Sequence, residues 1–154
     1  MGLKDLISKI SPFGHSQKGE TERRVENAPR QTEKKNLQTS PPTRHGFDQN
    51  IEINARETAL LLKTDPSVRL IDVREDHERR LAYIEGSELI TQELAQEMIA
   101  NWPKDTPIIF HCHHGVRSLN AASHFINQGF TNVRSMKGGI DAWSLEVDLS
   151  VPRY

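Results

Sequence analysis

From about Phe47 onward the chain alternates short apolar runs with segments that open on helix-capping residues, and no other feature restricts its fold so tightly. Short runs rich in β-branched residues fit strands, while longer segments behind a cap fit helices. Read this way, Gln49 to Ile53 is a strand, and Asn54 with Glu57 forms a capping box opening a helix over Ala55 to Leu62. Val68 to Val73 and Ser87 to Ile90 are further strands, and Thr91 caps a helix running to about Asn101. Pro107 to His111 is the central strand, Ser118 to Gln128 the helix behind it with Gly129 as C-cap, and Val133 to Met136 the last strand. Gly138-Gly139 then leads into a short helix through Trp143, in which Ile140 and Trp143 read as core anchors. Strands alternating with helices return the chain to the same end of the sheet each time, so the expected fold class is α/β: a parallel sheet with helices on both faces. No internal repeat is present.

The only cysteine, Cys112, stands where the apolar run Pro107-Ile108-Ile109-Phe110-His111 meets His113-His114-Gly115-Val116-Arg117-Ser118. That places it at the carboxyl end of a strand, where open α/β sheets bind ligands. Loop amides and the positive end of the next helix make a pocket for an anion there, and such a field favours the nucleophilic thiolate. A buried structural cysteine is the commoner fate of a free thiol. A small hydrophobe, however, does not need Gly115, Arg117 and a helix start immediately after it.

The net charge of -1 hides an asymmetry: residues 1–46 carry nine Lys/Arg against five Asp/Glu, and the remainder eleven against sixteen. Residues 14–46 are rich in Gln, Glu, Lys, Thr and Pro, too apolar-poor to offset their ordering entropy, so residues 1–46 are expected to be a basic, mostly disordered region preceding a domain over 47–154. Leu3, Leu6, Ile7 and Ile10 fall on one helical face, which suits either a short amphipathic helix over 3–10 that docks on a protein or membrane, or a frayed terminus with a chance pattern. Lys4, Asp5 and Lys9 interrupt any signal sequence, and no stretch has the length of a membrane span. One cysteine permits no internal disulfide, which suits a reducing cytoplasm.

Three segments together resemble a single rhodanese (sulfurtransferase) domain: Leu70-Ile71-Asp72-Val73-Arg74-Glu75, the loop Cys112 to Arg117, and Lys137-Gly138-Gly139-Ile140-Asp141-Ala142-Trp143. The chain departs from the family in having Tyr83-Ile84-Glu85-Gly86-Ser87 where a His-Ile-x-Gly-Ala segment is usual. The resemblance implies sulfane-sulfur transfer in two steps, with Cys112 taking a sulfur from thiosulfate or a persulfide donor and passing it to a thiol or other nucleophile. In that reading the backbone of His113, His114, Gly115, Val116, Arg117 and Ser118 cradles the persulfide anion, and Gly115 permits the loop's dihedrals. Arg117 offers a planar fork to an anionic donor; the alternative is a pair with a carboxylate such as Asp72, itself expected chiefly as a loop-organising acceptor. No cofactor is implied. With no second cysteine the sulfur must leave to another molecule, a small thiol or an acceptor protein. The basic tail lacks interleaved aromatics, so no DNA partner is expected, and the oligomeric state is not legible.

Cysteine phosphatases share a strand, a Cys loop and an Arg, but their loop is Cys-x5-Arg and this one is Cys-x4-Arg, which encloses a smaller anion. His111, His113 and His114 invite a metal reading, but neighbours at a strand end are expected to diverge, so no metal is expected. His113 and His114 are expected at the pocket rim, where they tune its charge. A different class of function is a binding or sulfur-carrier module recruited by its tail, with little activity of its own. Asp76 to Glu78 and Arg79-Arg80 read as a solvated charged face, and the tail ending Pro152-Arg153-Tyr154 as a surface wrap.

Overall fold

A computed structural model describes residues 51–154; the expectations for residues 1–46, including the 3–10 helix, lie outside the described residues. Five strands form one sheet: β1 (Glu52–Ile53), β2 (Arg69–Asp72), β3 (Glu88–Leu89), β4 (Ile108–His111) and β5 (Val133–Met136). They lie in the order β1-β5-β4-β2-β3, and every pairing is parallel. Five helices connect or follow them: α1 (Ala55–Thr64), α2 (Asp76–Leu81), α3 (Gln92–Asn101), α4 (Val116–Asn127) and α5 (Gly139–Glu146).

Alternation along the strands divides the core between two faces. Ile71, Val73, Ile108, Phe110 and Val133 pack with Ala95 and Met98 of α3 and with Ala121, Ala122 and Phe125 of α4. Leu70, Ile109 and Met136 pack on the opposite side with Ala55 and Ala59 of α1 and with Ile140 and Trp143 of α5. β4 is buried at all four positions, which explains its unbroken apolar run. The strand order reverses between β2 and β4, and their ends coincide, with Asp72 opposite His111. Crevices of α/β sheets open at such a point.

The structure corrects several boundaries. Among the described residues the first strand is Glu52–Ile53, which pairs β5 at two positions, and Gln49 and Asn50 lie outside the described residues. α4 begins at Val116 rather than Ser118, since Gly115 takes the N-cap in a left-handed conformation at φ 101°. Its C-cap is Gln128, with Gly129 just beyond at φ 92°. α5 continues past Trp143 to Glu146. The segment read as a solvated charged face is a helix, α2, whose Glu78 is buried. Asn54 and Thr91 cap their helices as expected, through Glu57 N and Leu94 N.

One contact ties the last helix to the cysteine loop. Ile140 N–H donates to Cys112 O at 2.8 Å and Asp141 N–H to His113 O at 3.2 Å. Gly139 permits this approach: its φ is +58°, and a Cβ there would lie 2.3 Å from Cys112 O and 2.4 Å from His113 O. Backbone cannot yield as a side-chain end can, so Gly139→Ala is expected to cost roughly 3 kcal/mol or more in urea unfolding. A loss below about 1 kcal/mol would mean that the loop and helix separate without penalty.

Candidate active site

Cys112 is 1% exposed, directly past the end of β4. Its sulfur is nonetheless in polar company: Gly115 N–H donates to Sγ at 3.1 Å and Ser118 Oγ lies 3.6 Å away. Ser118 Oγ also bonds Gly115 O at 2.9 Å, and Ser135 Oγ on β5 donates to Ser118 Oγ at 2.9 Å. A serine hydroxyl has one proton, so Ser118 can give it either to the Gly115 carbonyl or to the sulfur. Negative charge on sulfur draws that proton, and Ser135 then supports the Ser118 oxygen. Both serines are fully buried. Ser135 was not singled out in the sequence, because nothing in a strand residue's identity shows which hydroxyl will face it.

The first amides of α4 have no intrahelical acceptor and carry its positive end, beside the sulfur. Val116 itself points outward at 70% exposure, so only its backbone can serve the pocket. His113 is half-buried and His114 exposed. The expectation that adjacent histidines diverge fails for this pair: their rings stack at 3.8 Å. It holds for His111, which is fully buried with Nε2 3.8 Å from Asp72 Oδ2.

Arg117 is already partnered. Its two terminal nitrogens fork onto Glu78 Oε2 and Oε1, each at 2.6 Å, and the Arg117 fork holds Glu78 down at about 2. The carboxylate it takes is therefore Glu78 and not Asp72. Asp72 is occupied by Arg74, through Nε at 2.9 Å and the terminal nitrogen at 2.6 Å, and by Arg79 at 3.2 Å. Burial pushes the Asp72 carboxyl up, but the hydrogen bonds and the charge of Arg74 outweigh it and the net shift is downward. Asp72 also accepts from its own turn, Arg74 N at 3.1 Å, as a loop organiser does.

Glu78 and Tyr154, which in the sequence read as part of a solvated face and of a surface wrap, both reach the site. Glu78 accepts Glu75 N–H at 3.0 Å, so an E-x-x-E capping pattern was the only local signal. The Tyr154 hydroxyl accepts from Arg74 at 2.6 Å and donates to Glu78 Oε1 at 3.3 Å, while its ring stacks on His113 at 4.3 Å. The terminal segment thus walls the site, and only the tertiary fold brings Tyr154 there.

Burial pushes His111 down to about 4, with Arg74 adding to the shift and Asp72 opposing it. The unfolded chain takes up a proton near 6.5 that the folded chain refuses, so stability is expected to fall as pH drops from 6.5 toward 4. Glu78 acts lower: its contribution is present above 4.5 and is lost from there toward 2. Urea unfolding across pH should show a shallower slope between 6.5 and 4 in His111→Asn than in the parent, and equal slopes would contradict a neutral buried His111.

The Rhodanese-like domain family model matches residues 55–146. The thiosulfate sulfurtransferase GlpE of Pseudoalteromonas translucida is 35% identical over 99 residues, covering 64% of this chain and 92% of that protein. Its namesake in Vibrio cholerae is 30% identical over 94 residues, covering 61% and 86%. The solved Rhodanese-like domain from Anabaena sp. superposes with a TM-score of 0.56 at 21% identity, over 62% of this chain and 74% of that one, a likeness of fold. The matched stretch begins at the first residue of α1, ends at the last residue of α5 and contains the whole cysteine loop, so the chain belongs to the Rhodanese-like family.

Proposed function

We propose that this chain is a sulfurtransferase in which Cys112 carries the sulfur as a persulfide. The observation that carries the reading is the pair of donors on the Cys112 sulfur, the Gly115 amide and the Ser118 hydroxyl, in a chain similar to proteins named thiosulfate sulfurtransferase. The Cys112 thiolate attacks the outer sulfur of thiosulfate, a new S–S bond forms, and sulfite leaves with the electron pair of the bond that breaks. An acceptor nucleophile, a thiolate or cyanide, then attacks the outer sulfur, and the pair returns to Cys112 as thiolate.

The burial of Cys112 fits a carrier of this kind. A second sulfur extends the nucleophile by about 2.05 Å, one S–S bond, toward the amides at the start of α4. The hydroxyl of Ser118 and the N–H of Gly115 meet negative charge in both the attacking thiolate and the persulfide. Arg117 contributes its positive charge at the rim while anchored to Glu78, so it orients an anionic donor through its remaining N–H groups. His113, His114 and the backbone of Val116 complete that rim, and Asp72 supports the neighbouring turn through Arg74. Donors are thiosulfate or persulfides, and acceptors are small thiols or an acceptor protein. No helix among the described residues is long and apolar enough to cross a membrane. A reducing compartment, the cytoplasm, suits a thiol that must not be oxidised between turnovers.

Initial rates with thiosulfate and cyanide should give parallel double-reciprocal lines, since the two substrates never share the site. Cys112→Ser should lose at least about a thousandfold in kcat/KM. Ser118→Ala should lose roughly 10- to 100-fold, the loss expected for one hydrogen bond to a charged group. Intersecting lines, or a Cys112→Ser enzyme that retains its rate, would contradict the covalent route.

A further inference from the structure

Sulfur transfer leaves one cluster at the rim unexplained. A nitrogen of His113, a nitrogen of His114 and a carboxylate oxygen of Asp141 all lie within 4.8 Å of one another. Cys112 is not part of this cluster.

Several features hold the three residues together. Asp141 N–H donates to His113 O at 3.2 Å, so the start of α5 fixes the spacing of the two backbones. The His113 ring is packed between His114 at 3.8 Å and Tyr154 at 4.3 Å, and Arg74 anchors the tyrosine hydroxyl at 2.6 Å. The His113 ring is held by Tyr154, whereas the exposed His114 ring must turn off the His113 face for both in-plane lone pairs to reach one ion. Arg153 bonds Asp141 Oδ1 at 2.7 Å, which fixes the carboxylate beside the two imidazoles. Arg153 is itself exposed, and a cation of higher charge can displace it.

We propose that His113, His114 and Asp141 form a binding site for a borderline divalent cation of the Zn2+ type. Two imidazoles and a carboxylate suit Zn2+ far better than Mg2+ or Ca2+, which take all-oxygen sets. Zinc bonds of about 2.0–2.1 Å bring tetrahedral ligands to about 3.3 Å apart, a closure within reach of the exposed His114 side chain. Three protein ligands leave a fourth position for water.

The test is calorimetric titration of the full chain with Zn2+. It uses the Cys112→Ser background, so that the thiolate cannot take the metal and the readout does not depend on sulfur transfer. One site with micromolar affinity is expected, with no heat from Mg2+. Asp141→Asn and His114→Ala, both at accessible positions, should each weaken Zn2+ by at least about tenfold. Absence of Zn2+ binding up to millimolar concentration, or an affinity left unchanged by either substitution, overturns the assignment.

Discussion

The contact between the start of α5 and the cysteine loop is the constraint on which the rest of the site depends. Ile140 and Asp141 amides draw the carbonyls of Cys112 and His113 toward α5. In a trans peptide the N–H points opposite its carbonyl, so the amides of His113 and His114 turn away from α5. Gly115, left-handed at φ 101°, then bends the chain back so that its own N–H meets the sulfur and α4 begins. A Cβ at Gly115 would also press on Gly138 N at 3.0 Å, so both glycines serve one arrangement. Two packed backbones therefore orient the dipoles before any ligand arrives, which is the condition under which fixed donors stabilise charge most.

Around this loop the ionic groups are ordered by depth. Arg74 and Asp72 have no exposed side-chain surface and fork onto one another, with Arg79 also on Asp72 and the Tyr154 hydroxyl on Arg74. Breaking such a pair by removing one partner leaves a buried charge uncompensated, which is why its members are tied to structure. Glu78 and Arg117 lie nearer the surface, and Tyr154 bridges the two pairs through its hydroxyl. Positive charge at the rim thus has a fixed position and a fixed carboxylate behind it. In the proposed reaction a small dianion meets a cation that is already oriented, without the entropy loss of a free arginine.

The order of strands and helices was legible because it rests on local signals. Asn54 with Glu57, Thr91 and the apolar run before Cys112 each state their element within a few residues. Cys112, Gly115 and Ser118 were legible for the same reason, since loop, cap and helix start follow one another in the chain. α2 was missed because its charges resemble a solvated face, and only the later arrival of Arg117 gives Glu78 a reason for burial. The partner of Arg117, the hydroxyl of Ser135 and the ring of Tyr154 all depend on contacts between residues 17 to 80 positions apart. The stacking of His113 on His114 was likewise hidden, because the loop leaves the strand's alternation directly after His111.

In the proposed route sulfur resides covalently on Cys112 between donor and acceptor. Intact-protein mass spectrometry of the native chain after incubation with thiosulfate, beside Cys112→Ser, tests it most directly. A gain of one sulfur, about 32 Da, is expected on the native chain only, removed by cyanide as thiocyanate. No gain from thiosulfate or from a persulfide donor, or an equal gain on Cys112→Ser, would contradict it.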